Sequence, residues 1–168
     1  MVKLEPVNAK NVWSILKLKV SEEQREFVAP NDMSIIEAYI ALVSNGHALP
    51  FGIYADDTPV GFLMIGYDVD DAFDDPPQIA YGNYSIWRLM IDEKHQHKGY
   101  GRKAMQLALD FVRTFPCGEA DFCYLSYEPE NERAKKLYHD FGFAENGEKD
   151  GDEIVAVLPL RATDRNPE

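Results

Sequence analysis

The stretch from Tyr84 to Met105, YSIWRLMIDEKHQHKGYGRKAM, joins two patterns of different period. Its opening run, 84–91, has little polar alternation, as in a strand covered on both faces. From Arg102 onward Met105, Ala108, Leu109 and Val112 recur at helical spacing and predict a helix over 102–113. Between them lies Gln96-His97-Lys98-Gly99-Tyr100-Gly101-Arg102, a basic, glycine-containing turn at the mouth of that helix. The first turn of a helix offers backbone N–H groups without intrahelical partners, and the helix dipole adds positive character. Glycines at 99 and 101 are expected to allow positive φ and close approach of a ligand to the backbone. The turn therefore suits a phosphate or pyrophosphate. It is neither GxxxxGK[ST] nor GxGxxG, since residue 104 is alanine, so by itself it reads either as a site for another class of nucleotide or as a tight strand-to-helix turn alone.

Outward from this unit, 2–7 reads as a strand and 11–28 as a helix, with Val12, Ile15, Leu16 and Val20 as its apolar stripe. Pro30 ends that pattern, and a second helix is predicted from about 31 to 44, closed by Asn45-Gly46. A hairpin of 51–55 and 60–67 turns at Asp56-Asp57-Thr58-Pro59, and the aspartate-rich segment 68–78 is a loop. After the central unit come a strand at 121–127, a helix at 131–141, a strand near Phe143 and a last strand at 153–158. This is an α/β layout built around a β-α-β unit, with one domain expected over 1–160 and a polar tail over 161–168.

The formal net charge of -12 disfavours nucleic acid and anionic membranes as partners and favours cations. No apolar run nears the roughly 20 residues of a membrane helix, and the N-terminal MVKLEPVNAK lacks a signal peptide's apolar core, so a cytoplasmic location is expected. Cys117 and Cys123 are expected as reduced thiols, and the scattered histidines predict no metal.

Gln96-x-x-Gly99-x-Gly101 resembles the (Arg/Gln)-x-x-Gly-x-(Gly/Ala) signature of the GNAT N-acetyltransferases. Asn131-x-x-Ala134-x-x-Leu137-Tyr138, followed by Gly142-Phe143, is similar to a second segment of that family. Val20-Ser-Glu-Glu-Gln24, Pro59-Val-Gly-Phe62, Arg88-Leu-Met-Ile-Asp92, Tyr124-Leu-Ser126 and Asn146-Gly-Glu148 look like bacterial spermine/spermidine N-acetyltransferases. The resemblance implies a GNAT fold, a mostly antiparallel mixed sheet flanked by helices, and acetyl transfer from acetyl-CoA to an amine.

It further implies that Gln96, His97, Lys98, Gly99, Tyr100, Gly101 and Arg102 hold the pyrophosphate, with Lys136 nearby. Leu89, Met90 and Ile91 would run beside the pantetheine arm, with the Leu89 amide directed at the thioester carbonyl. Asn131, Ala134 and Tyr138 would face the same cofactor, Tyr138 acting as the general acid for the departing thiolate. The strand-borne glutamate of many relatives is missing from Tyr84-Ser-Ile-Trp-Arg88, so no base is assigned. Glu22, Glu23 and Glu26, with Phe27, Tyr84 and Trp87 as aromatic walls, are expected to receive a polycationic amine, helped by the acidic loop 68–78. Competing readings are another amine acceptor (a protein N-terminus, an aminoglycoside or an amino acid) and a CoA-binding sensor without turnover. A homodimer is a further expectation, although no apolar segment marks a docking surface.

Overall fold

The computed structural model describes residues 1–161; the expected tail from 162 onward lies outside the described residues. Seven strands form one sheet: β1 (Val2–Pro6), β2 (His47–Ala55), β3 (Thr58–Tyr67), β4 (Tyr84–Ile91), β5 (Phe122–Tyr127), β6 (Ala144–Asp150) and β7 (Glu153–Pro159). Their order is β1-β2-β3-β4-β5-β7-β6, and every adjacent pair is antiparallel except β4 with β5. The helices are α1 (Val12–Ile15), α2 (Asn31–Val43), α3 (Tyr100–Val112) and α4 (Glu132–Asp140). This is the expected α/β fold around a central β-α-β unit. Among the described residues, no helix is long and apolar enough to cross a membrane.

The two faces of the sheet bury separate cores. On one, Ala104, Met105, Ala108, Leu109 and Val112 of α3 pack on Phe51, Ile53, Leu63, Ile65 and Ile86. On the other, Ile15, Ala38 and Ala41 cover Phe62, Met64 and Met90. Leu63, Ile65 and Met105 are fully excluded from water, so truncating any one of them to alanine is expected to cost about 2–5 kcal/mol.

Two sequence expectations change. The helix expected at 11–28 stops after a single turn, because the backbone at Lys19 is drawn into tertiary bonds. Lys19 N–H donates to Asp92 Oδ1 at 3.0 Å, and Glu93 N–H donates to the Lys19 carbonyl at 2.8 Å. A continuing helix would need those groups for itself. Second, α2 does expose an apolar surface: Met33, Ile36, Tyr39, Ile40, Leu42 and Val43 are between 44% and 67% exposed.

The feature that positions the site is an irregularity in β4. Met64 pairs with Arg88 but Ile65 pairs with Ile86, so Trp87 is an extra residue in that strand. Such a bulge bends the strand and increases its twist. Beyond it β4 and β5 part: they pair only at Tyr84 with Cys123 and Ser85 with Tyr124. β5 continues against β7 as far as Tyr127 with Ile154, leaving a notch in the middle of the sheet.

Candidate active site

The notch opens into a cavity of about 440 Å³ on the α3 and α4 side, bordered by Leu89, Met90 and Ile91 on one wall and Tyr127, Asn131 and Tyr138 on the other. The basic turn forms its outer end, where Gln96, His97, Gly99, Tyr100, Gly101 and Arg102 line it; Lys98 and Lys136 do not. Gly99 is the N-cap of α3 in the left-handed region, with φ 78°, and His97 also has positive φ, at 61°. Gly101 does not, contrary to expectation. A Cβ there would meet Ile91 Cγ1 at 3.7 Å, an ordinary contact.

The first bond closing α3 runs from Lys103 N–H to the Gly99 carbonyl at 3.2 Å. No side chain caps the helix start, and its first turn holds no acid. The amides of the first turn are thus available to an anion, with the dipole behind them.

Several side chains around the turn have structural partners of their own. Gln96 Nε2 donates to the Ile91 carbonyl at 3.0 Å and to Gln24 Oε1 at 2.7 Å, while its oxygen accepts from Arg133 Nη1 at 3.2 Å. It thereby ties the turn to the end of β4 and to the 22–24 segment. Arg102 is paired with Asp140 and lies 5.4 Å from the Phe141 ring centroid. Lys136 reaches the same Asp140 at 3.7 Å, and Lys98 Nζ contacts the Lys94 carbonyl at 3.4 Å.

Asn131 caps α4, accepting from Ala134 N–H at 3.2 Å. This occupies its oxygen and leaves its amide nitrogen for a ligand. Tyr138 packs between Tyr127, to which it is tilted, and Phe143, which it meets edge-on, with centroids at 5.7 and 6.2 Å. Burial first, then the charge of Glu153, pushes its hydroxyl up to about 12, so it keeps its proton across the neutral range.

A second cavity of about 650 Å³ opens on the α2 side of the notch. Among the described residues, eight carboxylates line it: Glu37, Asp68, Asp70, Asp74, Glu128, Asp150, Asp152 and Glu153. Against them stand Arg88, bound to Glu37 at 2.7 Å, and His47. Burial raises the carboxyls of Asp150 and Glu153, and the nearby Arg88 guanidinium partly offsets both shifts. The two cavities share Ile86, Trp87, Arg88, Ser126 and Glu153.

The acceptor residues expected from sequence divide accordingly. Trp87 stands at the junction, and Glu26 and Phe27 line only the first cavity. Glu22 and Glu23 line neither; Glu22 instead pairs with Arg25 at 3.2 Å, one turn away on the outer surface. Tyr84 is no wall of a slot. It is fully buried under α3, and its hydroxyl takes the N–H of Cys117 and Gly118 and donates to the Gly118 carbonyl. A strand position with alternating side chains placed it on the opposite face from Trp87. Of the lining acids, those of the 68–78 loop were visible as an acidic run, whereas Asp150 and Glu153 carried no local signal.

Residues 13–143 match the model of the Acetyltransferase (GNAT) family. The spermine/spermidine N(1)-acetyltransferase of Bacillus subtilis (strain 168) is 30% identical over 156 residues, covering 89% of this chain and 91% of that protein. A crystal structure of an aminoglycoside acetyltransferase with coenzyme A aligns with a TM-score of 0.73 at 16% identity, over 95% of each chain. Spermidine N-acetyltransferase from Vibrio cholerae, solved with CoA and spermine, aligns with a TM-score of 0.64 at 17% identity, again over 95% of each chain. At those identities the structural likeness speaks for the fold. With a phosphate-type helix start beside a split β4–β5 pair, and a family match across most of its length, the chain belongs to the GNAT family of N-acetyltransferases.

Proposed function

We propose that this enzyme transfers the acetyl group of acetyl-CoA to a primary amine of a polyamine such as spermidine or spermine. The observation that carries the acceptor class is the acidic cavity, which meets the other cavity at the notch. Eight carboxylates against one paired arginine favour a polycation, and spaced anions distinguish it from a singly charged amine. The similarity to the Bacillus protein supports the same choice.

In this reading the amides and basic groups of 97–102 hold the CoA pyrophosphate, while Gln96 positions that turn. The arm follows Leu89, Met90 and Ile91, where β4 has no β5 partner, and Asn131 donates to it through Nδ2. The Leu89 amide polarises the thioester carbonyl. Tyr138 donates a hydrogen bond to the departing sulfur. Its high affinity for its proton makes transfer to a thiolate uphill in the free enzyme, so the transfer is completed only as the second proton lost by the amine restores Tyr138.

The test is an acceptor panel of spermine, spermidine, simple diamines, monoamines, an aminoglycoside, amino acids and a peptide N-terminus, read by CoA release and product mass. Polyamines are expected to give the highest kcat/KM. Preference for any other class overturns the acceptor assignment, and CoA binding without turnover favours a sensor.

A further inference from the structure

We infer that Glu153 is the general base that takes the proton from the acceptor's ammonium group. The inference rests on the acetyltransfer reading above and adds the residue that β4 does not supply.

The assignment follows from position. An attacking nitrogen comes from the acidic cavity and reaches a thioester held in the other, so its proton must leave where the two meet. Five residues line both: Ile86, Trp87, Arg88, Ser126 and Glu153. Ile86 and Trp87 have no basic atom, Arg88 is a permanent cation, and the Ser126 hydroxyl is not a base near neutral pH. Glu153 is the one Brønsted base in the junction among the described residues.

Its surroundings suit the task. Ser126 Oγ donates to one carboxylate oxygen, which fixes the group and leaves the second oxygen to accept a proton. Arg88 is committed to Glu37 and forms no ion pair with Glu153. The groups acting on Glu153 come from every neighbouring element: Ser126 and Glu128 at the end of β5, Asp150 directly across the β6–β7 turn, Arg88 from β4 and Tyr138 from α4. Burial is the largest influence, and with Asp150 and Glu128 it raises the carboxyl above its ordinary range, against Ser126 and Arg88. A raised carboxyl narrows the gap to an ammonium of pKa about 10.

The step balances as follows. The ammonium N–H bond breaks, and Glu153 takes the proton and later returns it to solvent. The freed nitrogen lone pair forms the C–N bond, and the C–S bond breaks with its pair going to sulfur. Sulfur takes the Tyr138 proton, and the second proton lost by nitrogen restores Tyr138 through solvent. One proton is released per amide and CoA thiol formed.

The test uses the full chain with acetyl-CoA and spermidine. Glu153→Gln is expected to lower kcat by about 100-fold near neutral pH, with unchanged acetyl-CoA affinity. The deficit should shrink as the assay approaches pH of about 10, where the amine arrives neutral. A structural lesion would not converge in this way. Glu153→Asp, which keeps a carboxylate, should fall between the two and stands in if the glutamine variant does not fold. A near-wild-type kcat in Glu153→Gln, or a deficit constant across pH, overturns the assignment. If the wild type acetylates another amine and no polyamine, the acceptor reading falls alone, and the same variants measured on that amine decide the base.

Discussion

The two cavities that meet at the notch differ in how they are built. The cavity proposed for the donor draws its outer end from one continuous stretch, 96–102, and much of one wall from a single helix, Asn131 to Tyr138. That outer end combines the uncapped amides of a helix start, which any sequence with the right turn supplies, with the arginines Arg102 and Arg133. The acidic cavity, proposed for the acceptor, gathers carboxylates from α2, from the 68–74 loop, from the end of β5 and from both sides of the β6–β7 turn. Its charge is all in side chains, and no two of those segments need be neighbours in sequence. A cofactor shared by a family can be held by a contiguous motif, whereas an acceptor is selected by side chains converging from separate elements.

The largest effect expected on this contrast comes from its centre, where both sites share the chemistry. Tyr138→Phe should lower kcat by about 100-fold with acetyl-CoA affinity unchanged; isothermal titration beside steady-state kinetics checks both. An unaltered kcat would remove Tyr138 from the chemistry and leave it as a packing residue.

Next in size is the acidic wall. The pair Asp70→Asn and Asp150→Asn together should raise KM for spermine about tenfold, if each partly exposed carboxylate contributes up to about 1 kcal/mol. KM for acetyl-CoA and for a monoamine should move little. The wild-type KM for spermine should also rise with added salt, because exposed charge pairs are screened. Equal changes for all amines would mean that the cavity is acidic for solubility and not for selection.

A smaller effect sharpens the donor side. Asn131→Asp keeps the oxygen that caps α4 but replaces the Nδ2 donor, so melting temperature should hold while acetyl-CoA Kd rises about threefold to tenfold. A fall in melting temperature with no loss of affinity would make Asn131 a cap alone.

The smallest expected effect is on stability and has a defined sign. Glu153 has its carboxyl raised in the fold above its ordinary value of 4.5. Its protonated form is therefore the one the fold favours. That contribution is fully present below the unfolded value and is lost as pH rises through the folded one. Glu153→Gln should melt above wild type at neutral pH, and the two should coincide below pH of about 4, by thermal denaturation followed with circular dichroism. A lower melting temperature at neutral pH would show that the Ser126 contact depends on the charge.

The sequence was most informative where spacing alone carries the geometry. The apolar run at β4, the helical period of Met105, Ala108, Leu109 and Val112, and the glycine between them predicted the central unit. It misled where tertiary bonds compete with local pattern. At 11–28 the stripe of Val12, Ile15, Leu16 and Val20 favoured a long helix, yet Asp92 and Glu93 claim the backbone at Lys19. Glu22 and Glu23 had the right charge for an acceptor and face outward, because the chain there forms only a short 3-10 turn, Glu22–Gln24.

What the residues determined by themselves, then, is the order of elements and a glycine-containing basic turn leading into a helix, since period and residue type are local properties; that the helix begins at Tyr100, with Gly99 as its N-cap, is seen in the structure. Only the tertiary structure decided where β4 leaves β5, because the extra residue at Trp87 becomes a bulge only against β3. It alone brought Glu153 beside Ser126 at the meeting of two cavities, since that contact crosses 27 positions of chain. Local chemistry can specify a turn that binds phosphate; a buried carboxylate at a strand junction exists only once the strands have paired.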